Sequence, residues 1–245
     1  MWRCSPWALL PPLFSVLTAA GLWIVYFVAV HDMRIEPLGS KYTREKRPPF
    51  ISVAGNYAPA SCIFSEVMNL AAFLGFMIGV LRYVQLKNYS VKPWLNVCSL
   101  VTFSLGCFGM TLVGNFQVFA EMAVHNAGTF MTFGLGTLFC WIQSYVTLVV
   151  NIKNEGRTVG IIRFVLAASI TISMITHFSL VAQKLFMQGA QCQWALVMFF
   201  LLFIGTFAVE FRHIRFHIVC TENCRGPESG SGVLTEVPMY HPDQL

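Results

Sequence analysis

The sequence predicts an all-α integral membrane protein: a bundle of six transmembrane helices with both termini in the cytoplasm and a disordered C-terminal tail. Three observations support this fold class, namely the scarcity of charge, six long apolar runs, and basic residues between those runs. Of the 245 residues, 56% are hydrophobic and only 11% are charged, whereas soluble domains carry about 25% charged residues. A chain this apolar cannot cover its surface with polar groups, so much of that surface is expected to face lipid.

The apolar runs set the predicted helices, because each holds roughly 20 residues and can cross a hydrocarbon core of about 30 Å. The first run exceeds the apolar segment of a signal peptide and is predicted to be an uncleaved membrane helix. Residues 1–215 are predicted to form one membrane domain. Residues 216–245 are predicted to form a cytoplasmic tail, disordered because it is rich in Gly, Ser, Pro and Glu. The predicted helices cover about residues 7–30, 62–81, 95–119, 126–150, 162–183 and 192–210.

The predicted orientation follows from basic residues between the helices. Ten Lys and Arg fall on the side of the termini and six on the other side, which favours cytoplasmic termini. Arg82 and Arg163 are among the ten and are interpreted as topology charges in the short segments between apolar runs. The sequon Asn88-Tyr89-Ser90 lies on the same side, so its glycosylation would contradict this orientation. The net charge of +5 is scattered along the chain, and no nucleic-acid partner is expected.

Ionisable groups at membrane depth are costly and are therefore the first candidates for a functional role. The predicted helices contain Glu66, His177 and Glu210, and His177 is expected to lie deepest. For each, an interfacial or hydrogen-bonded structural role is favoured. For His177 the alternative is a wet crevice or part of an ion path.

Small residues recur at helix-packing spacing in two predicted helices. Gly75 and Gly79 form a GxxxG pattern, which lets helix backbones approach closely. Packing within one monomer is favoured over packing between subunits. A similar ridge with a spacing of four residues comprises Gly128, Thr132, Gly136 and Cys140.

Two cysteines, Cys62 and Cys192, each open a helix on the predicted outer side, where a disulfide between them could form. The spacing leaves the bonded and the free state open, because it does not fix the distance between the two residues. Other cysteines near helix ends, suited to palmitoylation, are Cys4, Cys220 and Cys224. The chain ends in Asp243-Gln244-Leu245, which a PDZ-type groove could bind, although an unbound end is favoured.

Catalytic patterns do not occur in the sequence: it has no HExxH, GxSxG or Walker motif and no pair of carboxylates at membrane depth. We expect no enzymatic activity, no cofactor and no metal site. Transport is poorly supported because no internal repeat or broken helix appears in matching halves. A self-contained pore is disfavoured because the sequence has no filter loop or ring-forming acidic residue.

Several strings of residues resemble the transmembrane protein 150 and damage-regulated autophagy modulator family over nearly the whole chain. The motif residues are Asn115, Gln117 and His125. Within the family the chain is most similar to the tentonin branch, although Cys192 stands where that branch is expected to have an apolar residue. The matching strings begin at Pro49, Pro59, Gly114 and Cys192 for the family and at Ala20, Asn151 and Gly205 for the branch.

The resemblance implies six helices with cytoplasmic termini, and residence in the plasma membrane and in endosomal or lysosomal membranes. It further implies a component or modulator of mechanically activated cation current, with a mechanosensitive channel or another membrane protein as partner beside the lipid bilayer. The modulator role is favoured over the pore. The alternative is a non-channel regulator of autophagy or of phosphoinositide kinase localisation.

Overall fold

A computed structural model describes residues 5–43, 45–87, 89 and 91–213, and within these ranges every regular element is helical. Six helices or helix pairs are long and apolar enough to cross a membrane, which confirms the predicted fold class. The α-helices are α1 Leu10–His31, α2 Ile51–Ala54, α3 Ala60–Lys87, α4 Pro93–Asn115, α5 Met122–Phe130, α6 Gly136–Val150, α7 Gly156–Ala182, α8 Phe186–Gly205 and α9 Ala208–Phe211.

The six spans form a closed ring. Each span packs against the next one along the chain, and α1 also packs against α8, which closes the circle. We call the end of the ring at which α1 begins the entry end. The opposite end, at which residues 32–59 connect α1 to α3, is the loop end. Antiparallel neighbours joined by short connections are the expected arrangement for a helical bundle.

The fourth span is not a continuous α-helix. A π-helical turn, Met131–Leu135, separates α5 from α6. On the entry side of this turn α6 packs against α7, whereas on the loop side α5 packs chiefly against α4. Isolated π-helical turns within α-helices are frequent at functional sites.

Glycines let neighbouring helices approach closely within the monomer. A Cβ atom on Gly75 would lie 3.2 Å from Sγ of Cys107, and one on Gly79 would lie 2.8 Å from the ring of Phe103. The GxxxG pattern of α3 therefore packs against α4 in the same chain, which confirms the favoured interpretation. A Cβ on Gly128 would approach the carbonyl oxygen of Gly109 to 2.8 Å, so α4 and α5 are in backbone contact there.

The first loop is folded over the loop end of the bundle. The backbone N–H of Glu36 donates to the carbonyl of Arg47 at 2.9 Å. The indole N–H of Trp194 donates to the carbonyl of Pro49 at 3.0 Å, and the side-chain oxygen of Gln193 accepts from the backbone N–H of Ile51 at 2.9 Å. The loop is thereby hydrogen-bonded to the first turns of α8.

The helices near the entry end are longer than the hydropathy pattern indicates. The third helix ends at Lys87 rather than near Leu81, and α7 begins at Gly156 rather than near Ile162. The pattern stops at arginines, whereas the helices continue because those arginines are paired inside the bundle.

Some predictions concern residues outside the described ranges. They are the C-terminal tail with its PDZ-type end, two residues of the sequon, Asn88 and Ser90, and the palmitoylation candidates Cys4, Cys220 and Cys224. The orientation of the bundle in the membrane stays a prediction.

Candidate functional site

The most concentrated chemistry in the described part of the chain is a buried ion-pair cluster near the entry end, formed by Arg82 of α3, Arg163 of α7 and Glu210 of α9. An Nη2 atom of Arg82 lies 2.8 Å from Oε1 of Glu210, and Nη2 of Arg163 lies 2.5 Å from Oε2. The three residues are 1%, 0% and 4% exposed. Charges this deeply buried are tolerated only when paired and hydrogen-bonded.

Neutral side chains take up the remaining donors of Arg82. Its Nε donates to Oε1 of Gln143 at 2.9 Å, and its Nη1 donates to Oε1 of Gln85 at 2.7 Å. The amide of Gln143 donates in turn to the hydroxyl of Ser99 on α4 at 2.6 Å. The network therefore extends from α3 to α4 and α6.

Arg163 is held in the same way from the other side. Its Nε donates to the hydroxyl of Thr206 at 2.9 Å, and its Nη1 donates to the hydroxyl of Thr147 and to Oε1 of Glu210. The ring of Phe207 lies 4.1 Å from the guanidinium carbon of Arg163 and 5.3 Å from that of Arg82. Because two guanidinium groups share one carboxylate, the cation–π contacts offset part of the unbalanced positive charge.

This cluster corrects one interpretation made from the sequence. Arg82 and Arg163 are not topology charges in loops, since both lie inside helices and are almost fully buried. Without them the basic residues number eight against six rather than ten against six, so the count favours cytoplasmic termini less strongly. Glu210 lies within the bundle, where it is 4% exposed and pairs with both arginines.

A second feature is a cavity of about 120 Å³ inside the ring, which we call the central cavity. It extends from Ile51 beneath the first loop to Ile204 of α8, and its floor is the ring of Phe139. The Phe139 ring packs 6.1 Å from that of Phe207, which in turn covers the two arginines. Along the bundle axis, the loop, the cavity, the aromatic floor and the ion-pair cluster therefore follow one another.

A third feature lies on the surface of the loop end, where basic and aromatic side chains surround a depression. The guanidinium of Arg34 lies 5.0 Å from the ring centroid of Tyr57, and that of Arg47 lies 4.7 Å from the ring centroid of Phe119. Within the described ranges neither arginine forms a salt bridge. Lys46 and Glu45 also line the depression.

The sequence of the chain is similar to those of known proteins. Residues 6–214 match the model of the Frag1/DRAM/Sfk1/Cwh43P N-terminal domain. The chain belongs to this family. It is 35% identical to a modulator of macroautophagy, TMEM150B-B of Xenopus laevis, over 89% of this chain and 90% of the relative. The human TMEM150B is 32% identical over 88% of this chain and 90% of the relative. Transmembrane protein 150A of Xenopus laevis is 29% identical over 92% of this chain and 93% of the relative.

These relatives support membership of the TMEM150 and DRAM family. Two of them are TMEM150B proteins and one is transmembrane protein 150A. The similarity to the tentonin branch stays a prediction. No solved structure matches the chain.

The family motif residues have structural roles at the loop end. The amides of Asn115 and Asn69 pair reciprocally, at 2.9 and 3.1 Å, and Oδ1 of Asn115 also accepts from the hydroxyl of Ser65 at 2.6 Å. Nδ1 of His125 lies 2.7 Å from the carbonyl oxygen of Phe116. The carbonyl of Gln117 accepts two backbone N–H groups of the turn before α5. The motif therefore ties α3, α4 and α5 together.

The structure separates the other candidate residues from the ion-pair cluster. His177 lies five residues before the end of α7, and its Nδ1 lies 2.8 Å from the carbonyl oxygen of Gly189. Its depth in the bilayer stays a prediction. Glu66 is exposed on α3 and forms no hydrogen bond or ion pair with another described residue. Cys62 and Cys192 are free thiols in the structure, and a disulfide between them stays a prediction.

An exposed ion pair lies outside the spans at the entry end. Nη2 of Arg212 lies 2.5 Å from Oε1 of Glu155, and Nε2 of His213 lies 3.1 Å from Oε2. The hydrogen bond from Arg212, assisted by His213, holds the pKa of the Glu155 carboxyl below its usual value. This pair joins the start of α7 to the end of the sixth span.

Sequence reasoning found one of the three charged residues in the cluster, because Glu210 stands out as an acid at the end of an apolar run. It missed both arginines. For Arg163 a signal was present, because the residues on both sides of it are apolar and helix-forming, which is typical of a continuing helix and not of a loop.

Proposed function

We propose that this protein regulates autophagy from within the membrane and is not itself an ion pore. The observation that carries the proposal is the closed axis of the bundle, where the aromatic floor and the ion-pair cluster lie in series. A cation on this path would leave water for walls of aromatic and aliphatic side chains. It would then meet two arginines whose combined charge exceeds that of Glu210. Both steps oppose cation passage.

The process is suggested by the relatives, of which several are named modulators of macroautophagy. A regulator of this kind acts through contacts with lipids or protein partners in endosomal or lysosomal membranes. Residence in the plasma membrane, a PDZ partner at the C-terminus and an effect on phosphoinositide kinase localisation belong to the same proposal. No catalytic role is included, since no nucleophile–base pair or carboxylate pair occurs among the candidate residues described above.

Autophagic flux in cells lacking the protein tests the proposal. Flux is measured during starvation, with and without an inhibitor of lysosomal degradation, so that formation and turnover of autophagosomes are separated. We expect flux to change on loss of the protein and to return with the wild-type chain and with a Glu66→Gln variant, since Glu66 is exposed and pairs with no other described residue. Unchanged flux in the deficient cells would refute the regulatory role.

A second candidate function is the modulation of mechanically activated cation current, with the pore supplied by another protein. The observation that favours it is the central cavity beside the π-helical turn, because a bundle with an internal void can change its cross-sectional area. Membrane tension biases such an equilibrium only if the two states differ in area or in lipid contact. Co-expression with a stretch-activated channel should then shift the pressure for half-maximal current. An unchanged pressure would exclude this role.

A further inference from the structure

The central cavity is long, narrow and apolar. Its walls come from α1 to α6 and α8, and along α8 they extend from Gln193 to Ile204. At a rise of about 1.5 Å per residue, this stretch of α8 is roughly 16 Å long. Most lining side chains are aromatic or aliphatic, and the cavity lies at the depth of the apolar spans.

A few polar groups face this apolar space. Ser52 and Gln193 lie near its loop end, whereas Thr18 lies midway along α1. The hydroxyls of Ser52 and Thr18 form no hydrogen bond with another described residue, and the amide N–H groups of Gln193 form none either. Threonine and serine in helices commonly bond to a carbonyl in the preceding turn, as Thr132 does to Gly128 at 2.9 Å. The unbonded groups are therefore available to a polar end of a ligand.

Water is a poor occupant for this cavity. A buried water needs two to four polar partners, and apolar cavities stay dry (about 150 Å³ in one engineered example). Such a space left empty forgoes packing contacts and destabilises the fold in proportion to its volume. An apolar occupant would restore those contacts.

The ring of helices has fewer contacts between neighbouring spans on one side, and we infer that an acyl chain reaches the cavity there. On the loop side of the π-helical turn, α5 packs chiefly on α4, while α7 packs on α6 and α8. Among the described residues α7 contributes none to the cavity wall. The stacked rings of Phe133 and Phe200, 6.3 Å apart, bridge the gap between the fourth span and α8. At this depth the surrounding solvent is lipid.

We propose that the central cavity binds one acyl chain of a membrane lipid, with the polar end of the lipid near Ser52 and Gln193. The length of the cavity and its apolar walls fit an extended hydrocarbon chain, and the unbonded Ser52 hydroxyl and Gln193 amide fit an ester or carboxyl group. The bound acyl chain belongs either to a phospholipid, which enters between α5 and α8, or to a free fatty acid. This proposal does not depend on the role in autophagy.

Photolabelling of the purified full-length protein in nanodiscs tests the proposal. Two probes carry a diazirine near the end of an acyl chain, one as a phosphatidylcholine and one as a free fatty acid. Labelled peptides are identified by mass spectrometry. We expect label on the cavity-lining parts of α4 and α8, around Cys107 and Phe200, and competition by the unlabelled lipid. The probe that labels distinguishes the two sources.

A matched pair of variants separates the cavity from the lipid-facing surface. A Cβ on Gly106 would make only ordinary contacts, at 3.7 and 3.8 Å, so Gly106→Leu is expected to fold and to fill the cavity. A Cβ on Gly134 also makes only ordinary contacts, but Gly134 does not line the cavity, so Gly134→Leu is the control. We expect Gly106→Leu to lower cavity labelling about tenfold, because one methylene more or less in an apolar pocket changes ligand discrimination by about 10–200-fold.

The result that would overturn the proposal is label confined to lipid-facing residues such as Phe108 in folded wild-type protein. Equal labelling of Gly106→Leu and Gly134→Leu would overturn it as well. If Gly106→Leu fails to give monodisperse protein, Met110→Phe replaces it, because Met110 lines the same cavity and its side chain is flexible. Met110→Phe should lower the labelling of the cavity in the same way. If a diazirine sterol labels the cavity and the acyl probes do not displace it, the ligand is a sterol and the acyl-chain proposal is wrong.

Discussion

The two ends of the helical ring are held together by different chemistry. At the entry end a buried carboxylate joins two arginines from different helices, and neutral amides and hydroxyls satisfy the remaining donors. At the loop end the helices are joined by an amide pair, stacked indoles and a folded loop, and a cavity is left between them. We infer that the entry end is the rigid part of the bundle and the loop end the part that can change shape.

The largest expected effect comes from removing the shared carboxylate. Glu210→Gln leaves Arg82 and Arg163 buried without a counter-charge, which should cost about 3–5 kcal/mol of stability. Thermal unfolding of the detergent-solubilised protein, followed by loss of monodisperse material, measures it. Glu155→Gln is the control, because Glu155 also pairs with an arginine but is exposed. Equal effects of the two variants would mean that the buried cluster does not dominate at the entry end.

The two arginines should differ from each other. Arg82→Gln leaves the Arg163–Glu210 pair intact with its charges balanced, whereas Arg163→Gln removes two contacts to the carboxylate and the closer contact to Phe207. We expect the loss of a hydrogen-bonded charge to cost about 1.5–3 kcal/mol for Arg163→Gln and less for Arg82→Gln. Unfolding of both variants in the same detergent checks the order. The reverse order would place the principal ion pair at Arg82.

At the loop end, single contacts should matter less. Trp194→Phe keeps the ring stacked near Trp23 but removes the hydrogen bond to the carbonyl of Pro49, at a cost of about 1 kcal/mol. The expected result is faster proteolysis within residues 32–50 with little change in the unfolding temperature of the bundle. Trp94→Phe, on an exposed tryptophan, serves as the control. Global unfolding at the rate of loop cleavage would show that the loop end is as rigid as the entry end.

The smallest effect is expected at the exposed pair of Glu155. Its pKa is lower in the folded protein than in the unfolded chain, because Arg212 and His213 hydrogen-bond to its charged form. Its contribution to stability is therefore fully present above the unfolded pKa and is lost as pH falls through the folded pKa. Unfolding temperatures of wild-type and Glu155→Gln protein should differ slightly at neutral pH and converge in acid. A difference that grows in acid would contradict the assignment.

The sequence predicted much of the fold, because hydrophobic length alone decides where a chain can span a bilayer. It could not predict the ion-pair cluster. Hydropathy treats an arginine as a helix end whatever its partner, and the partner of Arg163 is 47 residues away along the chain. Glu210 was recognisable as an acid in an apolar run. The central cavity left no signal, since it is the space that remains after the helices of the ring have packed.

The measurement that tests the closed bundle most directly is current from the purified protein in a stretched lipid patch containing no other protein. Protein that is monodisperse before reconstitution should remain silent as suction rises, because the aromatic floor and the ion-pair cluster block the axis. Stretch-dependent openings whose conductance changes on substitution of Phe139, for example by Phe139→Ala, would contradict this account and would place an ion path through the centre of the ring.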